Sequence, residues 1–229
     1  MNRPRDDAAP ARPVVSADEA AAIEQRIGAL EARTGIEVVA AVERRSDIYP
    51  EVPWRAFALG AALAALALLG ALVLRVDWVM PHTWLLQAVA ILGAGAIAAL
   101  GSALVPGFGR LFIRSDRMEE EVHQRAQVVF LARELFATPG RDAILVLVSL
   151  FERHVVVIPD AGWCGWVADQ EWRAVVERMT PLLAQGRVVE AFDAGCGAIE
   201  ELLAGRGRTG DRARGLLSDT LVQGEGPRE

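Results

Sequence analysis

Lysine is missing from this 229-residue sequence; all 24 basic residues are arginine. Against 30 acidic residues they leave a formal net charge of −6, which argues against a nucleic-acid-binding surface. Cysteine is scarce. Cys164 and Cys196 lie far apart, without metal-ligand spacing, and are expected to be reduced thiols in a cytosolic domain. The three histidines offer no ligand set either: His123 sits between Glu121 and Arg125 on a polar face, and His154 opens a strand. No Ser-His-Asp spacing, P-loop or dinucleotide fingerprint occurs, so no catalytic class follows from motifs. A leader-type segment is lacking as well. Residues 1–15 hold Arg3, Arg5, Asp6, Asp7, Arg12 and three prolines without an apolar run, and read as a disordered lead.

What is present is a segregated apolar content. Hydrophobic residues make up 52% of the chain although 24% is charged, and both hold because two segments collect the apolar share. Ala56 to Leu74 is free of charge, and Trp84 to Val105 contains only Gln87 and Ser102 as polar members. At about 1.5 Å per residue each matches the hydrocarbon core of a bilayer. The connection carries Arg75, Asp77, Pro81 and His82 and belongs in water, and Trp54, Trp78 and Trp84 mark the segment ends. A transmembrane hairpin is expected over residues 52–109, spanning at 56–74 and 84–105.

Arginine distribution sets the expected orientation. Arg44, Arg45 and Arg55 precede the first span, Arg110, Arg114 and Arg117 follow the second, and Arg75 alone lies between. Both termini then belong in the cytoplasm of a bacterial inner-membrane, multi-pass protein, with the lipid bilayer as one partner. Gly60, Ala64, Ala67 and Ala71 on one helix, and Gly93, Ala94, Ala98 and Gly101 on the other, permit close helix approach. Neither span holds an ionisable residue, so the hairpin reads as an anchor with no transport path.

The remaining chain reads as one α/β domain in two parts, 16–51 and 110–205, followed by a polar tail over 206–229. Ser16-x-x-Glu19 forms a capping box before Ile23, Ile27 and Leu30, and Gly35 ends that helix. Ile36 to Val42 is a buried strand. Met118, Val122, Ala126, Val129 and Phe136 line a helix, with Glu121 and Arg125 paired on its surface, and Thr138, Pro139 and Gly140 stop it. Ala143 to Phe151 is apolar on both faces, as a central strand is, and a two-residue turn at Glu152 and Arg153 leads to the antiparallel strand His154 to Ile158. Asp169 caps a helix carrying Trp172, Val175, Val176, Met179 and Leu182; Val188, Phe192, Gly195, Ile199 and Leu202 build another. The tail holds one apolar patch at Leu216, Leu217, Leu221 and Val222. The expected fold class is α/β, a small mixed sheet flanked by helices and interrupted by the hairpin.

The segment T-P-G-R-D-A-I-L-V-L-V-S-L-F-E-R-H-V-V-V-I-P-D-A-G-W (138–163), with the preceding helix A-Q-V-V-F-L-A-R-E-L-F (126–136), resembles a TPM domain. The likeness is to the bacterial membrane-anchored branch, which carries a hairpin after the first strand. It covers 16–51 and 115–222, including Gly210, Asp211, Leu217, Asp219, Leu221 and Val222. It implies an α/β sandwich with a polar site at one end of the sheet, and relatives outside this branch act as acid phosphatases or bind divalent cations. Asp142 matches the acidic position that opens the family's central strand. Asp160 and Gly162 fall where members carry a glycine-rich turn, although Ala161 and Trp163 depart from its longer form.

Asp142 and Asp160 are the candidate metal residues. They flank an antiparallel strand pair, and two hard oxygen donors there suit Ca²⁺ or Mg²⁺. The other reading is two solvated turn aspartates. Counting from the turn leaves Asp142 a few residues past Asp160, so the chain after Ile158 has to fold back at Gly162, with Arg141 or a cation compensating the paired charges. Trp163 and Trp166, with Trp172, either cover the open end of the core or form a protein contact. Two functions follow as expectations: a membrane-anchored interaction or assembly module working through a protein partner, or a divalent-cation-dependent acid phosphatase-like hydrolase.

Overall fold

The computed structural model describes residues 13–74, 83–204 and 220–226. The expected inter-helix loop, Trp78, most of the N-terminal lead, and Gly210, Asp211, Leu216, Leu217 and Asp219 lie outside the described residues. The chain divides into two compact units, one of residues 1–48 and 118–229 and one of residues 49–117.

The first unit is built on a four-stranded mixed sheet of order β3-β2-β1-β4. Helix α1 (Ala17–Thr34) opens on the expected capping box, in which the Ser16 hydroxyl accepts from the Glu19 amide and the Glu19 carboxylate accepts from the Ser16 amide. It ends at Gly35, whose φ of 72° is a left-handed cap that costs glycine nothing. Strand β1 (Val38–Glu43) then runs parallel to β2 (Ile144–Ser149), with Val38 opposite Ile144 and Glu43 opposite Ser149.

Two-residue alternation sorts β2 between two cores. Val146 and Val148 face α1, α6 (Asp169–Ala184) and α7 (Val188–Ala204), in a cluster with Ile27, Trp172, Met179, Phe192 and Ile199. Leu145 and Leu147 face α5 (Ser115–Ala132) through Val122, Ala126 and Val129. All four β2 residues are buried, as expected of a central strand.

The structure corrects several local expectations. Strand β3 (His154–Pro159) is antiparallel to β2 as expected, but the turn between them is four residues long, with Ser149 opposite His154. The cause is β1: the Leu150 and Phe151 amides donate to the Glu43 and Arg44 carbonyls, so these residues leave the β3 ladder. Helix α5 stops at Ala132 because Glu134 is left-handed (φ 52°), which turns Leu135 into the core and leaves Phe136 exposed. Arg125 reaches Glu43 at the sheet end, a long-range pairing that the sequence reading did not expect. The cap of α6 is Ala168, whose amide donates to Glu171, and Asp169 is the first helical residue. Leu221 and Val222 of the tail lead into a short edge strand, β4 (Val222–Gly224), parallel to β1.

The second unit is a helical hairpin. Helices α2 (Glu51–Val73) and α3 (Thr83–Leu104) are long and apolar enough to cross a membrane. Their leucines point outward: Leu59, Leu63, Leu66, Leu69 and Leu72 on α2, and Leu85, Leu86, Leu92 and Leu100 on α3, are exposed. A soluble core helix would bury that surface. Close approach is made at Gly60, where an added Cβ would sit 2.7 Å from the Ala94 carbonyl oxygen and the Ala98 Cβ. The short helix α4 (Pro106–Arg110), not expected from the sequence, follows an extended Val105 with Pro106 at its first turn.

Candidate functional site

One end of the sheet holds the start of β2 and the end of β3, so the register itself carries Asp142 and Asp160 there. Ala143 is opposite Asp160, whose amide donates to the Ala143 carbonyl at 2.9 Å. Asp142 is thus a single ladder step beyond Asp160, less than turn counting suggests, because the four-residue turn equalises the two strands. Successive ladder positions face opposite sides of a sheet, so the shared end does not give the two carboxylates a shared face.

Asp160 is committed to another group. Its carboxylate accepts from Arg141 Nε at 2.8 Å and Nη2 at 2.7 Å, and from the Ala161 amide at 2.7 Å. This fork-to-fork geometry is the strongest form of ion pair a carboxylate makes. Burial works to raise the Asp160 carboxyl, but the Arg141 hydrogen bonds, the Ala161 amide and the Arg141 charge together hold it below the usual carboxylate range. Arg141 reaches across because its own backbone is left-handed (φ 50°), a strained position for a side-chain-bearing residue. Asp142 is also buried, and its carboxylate crowds Gly140, where an added Cβ would lie 2.8 Å from Oδ2.

The segment after β3 folds back onto this loop as expected. The Gly162 amide donates to the Arg141 carbonyl at 2.7 Å, and an added Cβ at 162 would meet the Gly140 and Arg141 carbonyl oxygens at 2.5 Å. Only glycine fits that approach. Trp163 seals the fold-back from inside, its indole Nε1–H donating to the Asp142 carbonyl at 2.8 Å and its ring meeting Trp172 edge-on at 6.1 Å. At 1% exposure Trp163 has no face for a partner, which leaves Trp166, 55% exposed, as the outward member of the expected contact pair. Among the described residues no group of three or more His, Cys, Asp or Glu is placed to hold a metal ion.

The opposite end of the sheet holds a buried polar cluster that sequence reading missed. Glu43 closes β1 and is 1% exposed; its Oε1 accepts from Arg125 Nε at 3.0 Å and Nη2 at 2.7 Å, while Oε2 has no hydrogen-bond partner. Beside it the Glu152 carboxylate accepts from the Ser46 amide at 3.0 Å and from the Ser149 hydroxyl. The signal available was a lone glutamate ending an otherwise apolar strand. Its partner on α5 lies 82 positions away, so no local pattern joins them.

No family model and no curated protein matches this chain. A solved structure does: the NMR structure of the BA42 protein from the psychrophilic bacterium Bizionia argentinensis, at 16% identity. The match covers 92% of this chain and 95% of that one with a TM-score of 0.54. At that identity the likeness speaks for the fold, a mixed sheet flanked by helices.

Proposed function

We propose that this chain is a membrane-anchored, TPM-like α/β domain that acts as an interaction or assembly module through a protein partner. The observation that carries the reading is the hairpin. Two helices with outward-facing leucines are inserted between β1 and β2, which are neighbours in one sheet. A chain that leaves β1 and returns to β2 has to cross a bilayer an even number of times, and a double crossing meets that demand. The excess of arginine outside the α2–α3 loop supports cytoplasmic termini in a bacterial inner membrane. Exposed Val128, Leu131, Phe136 and Trp166 on the first unit supply apolar groups for a protein contact. The engagement of Asp160 by Arg141 supports binding over catalysis, since the carboxylate is already neutralised.

The rival reading is the divalent-cation-dependent acid phosphatase-like hydrolase, favoured by the placement of Asp142 and Asp160 at one sheet end. One experiment separates the two: the purified full chain is assayed for hydrolysis of p-nitrophenyl phosphate at acid pH with and without Ca²⁺ or Mg²⁺. The interaction module shows no turnover and no cation-dependent rise in melting temperature. Turnover abolished by Asp142→Asn would establish the hydrolase instead.

A further inference from the structure

Strand β4 fills a socket built from the other end of the chain. Val222, Gln223 and Gly224 lie parallel to Ala41, Val42 and Glu43, and the Arg44 amide donates to the Gly224 carbonyl at 2.9 Å. Gln223 Oε1 accepts from the Val14 and Val15 amides at 2.8 and 3.4 Å, and the Leu221 amide donates to Glu24 Oε1 at 2.8 Å. Leu221 is buried in the core shared with α1 and α7. Main-chain pairing that gives affinity, flanked by groups that give selectivity, is the way a donated strand completes a sheet.

Position 224 sets the selectivity. The Glu43 carboxylate lies over Gly224, where an added Cβ would collide with both of its oxygens. A strand seats there only with glycine at that position, while Arg125 holds Glu43 from the side of α5.

These contacts do not depend on which molecule supplies the strand. The receiving groups all belong to residues 14–44, and β4 reaches them through residues 205–219. Arg33 in the last turn of α1 pairs with Glu200 near the end of α7 at 3.2 Å, so the two helices end side by side, where the chain enters β1. With Val222 opposite Ala41, Thr220 comes level with Val39 in the first half of β1. The step from Ala204 to Thr220 is therefore short, on the order of 10 Å, the spacing of packed layers. Connections in compact domains run to about 4–6 residues. Residues 205–219 fully extended would reach roughly 50 Å, enough to carry the strand to a neighbouring molecule.

We propose that the β1 edge is the acceptor for the C-terminal strand of a second copy of this chain. Residues 221–224 of one chain pair with β1 of its neighbour, and the reciprocal exchange closes a dimer. Exchange keeps every contact described above, so it is a low-cost route to association. Copies anchored in one bilayer with the same orientation are already confined together, which raises their effective concentration. The inference rests on the assembly-module reading and names its partner.

The test uses full chains carrying two different affinity tags, co-expressed and purified in mild detergent. Wild type is expected to co-purify with wild type. A chain ending at Asp219 keeps the socket and lacks the strand; Gly224→Val carries a strand that cannot seat. Each should be captured by wild type, which donates its strand, and neither should be captured by a second copy of itself. Protease resistance checks that both variants fold. A peptide of residues 220–226 in excess should release the partner from the wild-type complex, and the same peptide with Gly224→Val should not, which decides the matter even where a variant does not fold. Wild type that fails to self-associate overturns the inference. So does a folded strandless chain that wild type does not capture, one that captures itself as well as wild type does, or a wild-type complex indifferent to the peptide. Absence of self-association ends this inference alone, because a different protein partner still satisfies the assembly reading, whereas turnover of a phosphate ester ends the reading itself.

Discussion

Arg141 grips Asp160 with two parallel hydrogen bonds, 2.8 and 2.7 Å long, across the end of the β2–β3 pair. The carboxylate is buried, whereas the arginine stands half in solvent, so the pair is asymmetric: Asp160 needs Arg141 more than the reverse.

That asymmetry has a pH signature. A carboxyl held below its ordinary value contributes stability above that value, near pH 4, and loses it as pH falls through the lowered folded value. With Arg141→Gln, burial is opposed only by the Ala161 amide, and the neutral form of Asp160 gains weight. The variant should melt well below wild type at pH 7, and the gap should narrow as pH drops below about 4. Thermal melts in detergent over that range are the check; a gap independent of pH would assign the loss to something other than Asp160.

Leu147 is fully buried against α5 on the face it shares with Leu145. Leu147→Asp places an unpaired charge there, at a cost on the order of several kcal/mol. The first unit should lose its protease resistance while the chain still inserts into membranes. Unchanged resistance would contradict the two-sided burial of β2.

Glu43 and Arg125 join β1 to α5, and Glu43 is shut away from water. Arg125→Ala leaves that carboxylate uncompensated and should destabilise the domain by about 3 kcal/mol, read as a fall in denaturation midpoint. Glu43→Gln with Arg125→Met removes both charges and should recover much of the loss. A double variant no better than the single one would show that the pairing is not what matters there.

The thiols offer an independent probe of α7. Burial raises the Cys196 thiol to about 11, and the residue faces the core beside Ile199, whereas Cys164 is exposed. A maleimide at pH 8 should label Cys164 in the native protein and Cys196 only after unfolding. Rapid native labelling of Cys196 would mean that α7 is not packed as described.

What could be read in the sequence was what a short period or a run of composition can carry. The alternation of Leu145 to Val148, the Ser16–Glu19 cap and the two apolar spans each lie within a few turns of chain. What could not be read depended on distant partners or on one backbone angle. The left-handed Glu134 ended α5 early; β1 captured Leu150 and Phe151 and so lengthened the turn; β4 formed because a β1 edge was open to Val222. At the candidate site the sequence placed both aspartates and named Arg141 as a possible counter-charge. The register decided how close they lie and gave Asp160 to Arg141.

The central claim is that one sheet is completed by two stretches of chain separated by a double membrane crossing. Reporter fusions test it most directly, one at the N-terminus, one at the C-terminus and one inserted near Pro81. The expected result is cytoplasmic activity for both terminal fusions and periplasmic activity for the insertion at 81. A C-terminal reporter found in the periplasm would put β1 and β2 on opposite sides of the bilayer and contradict both the topology and the split domain.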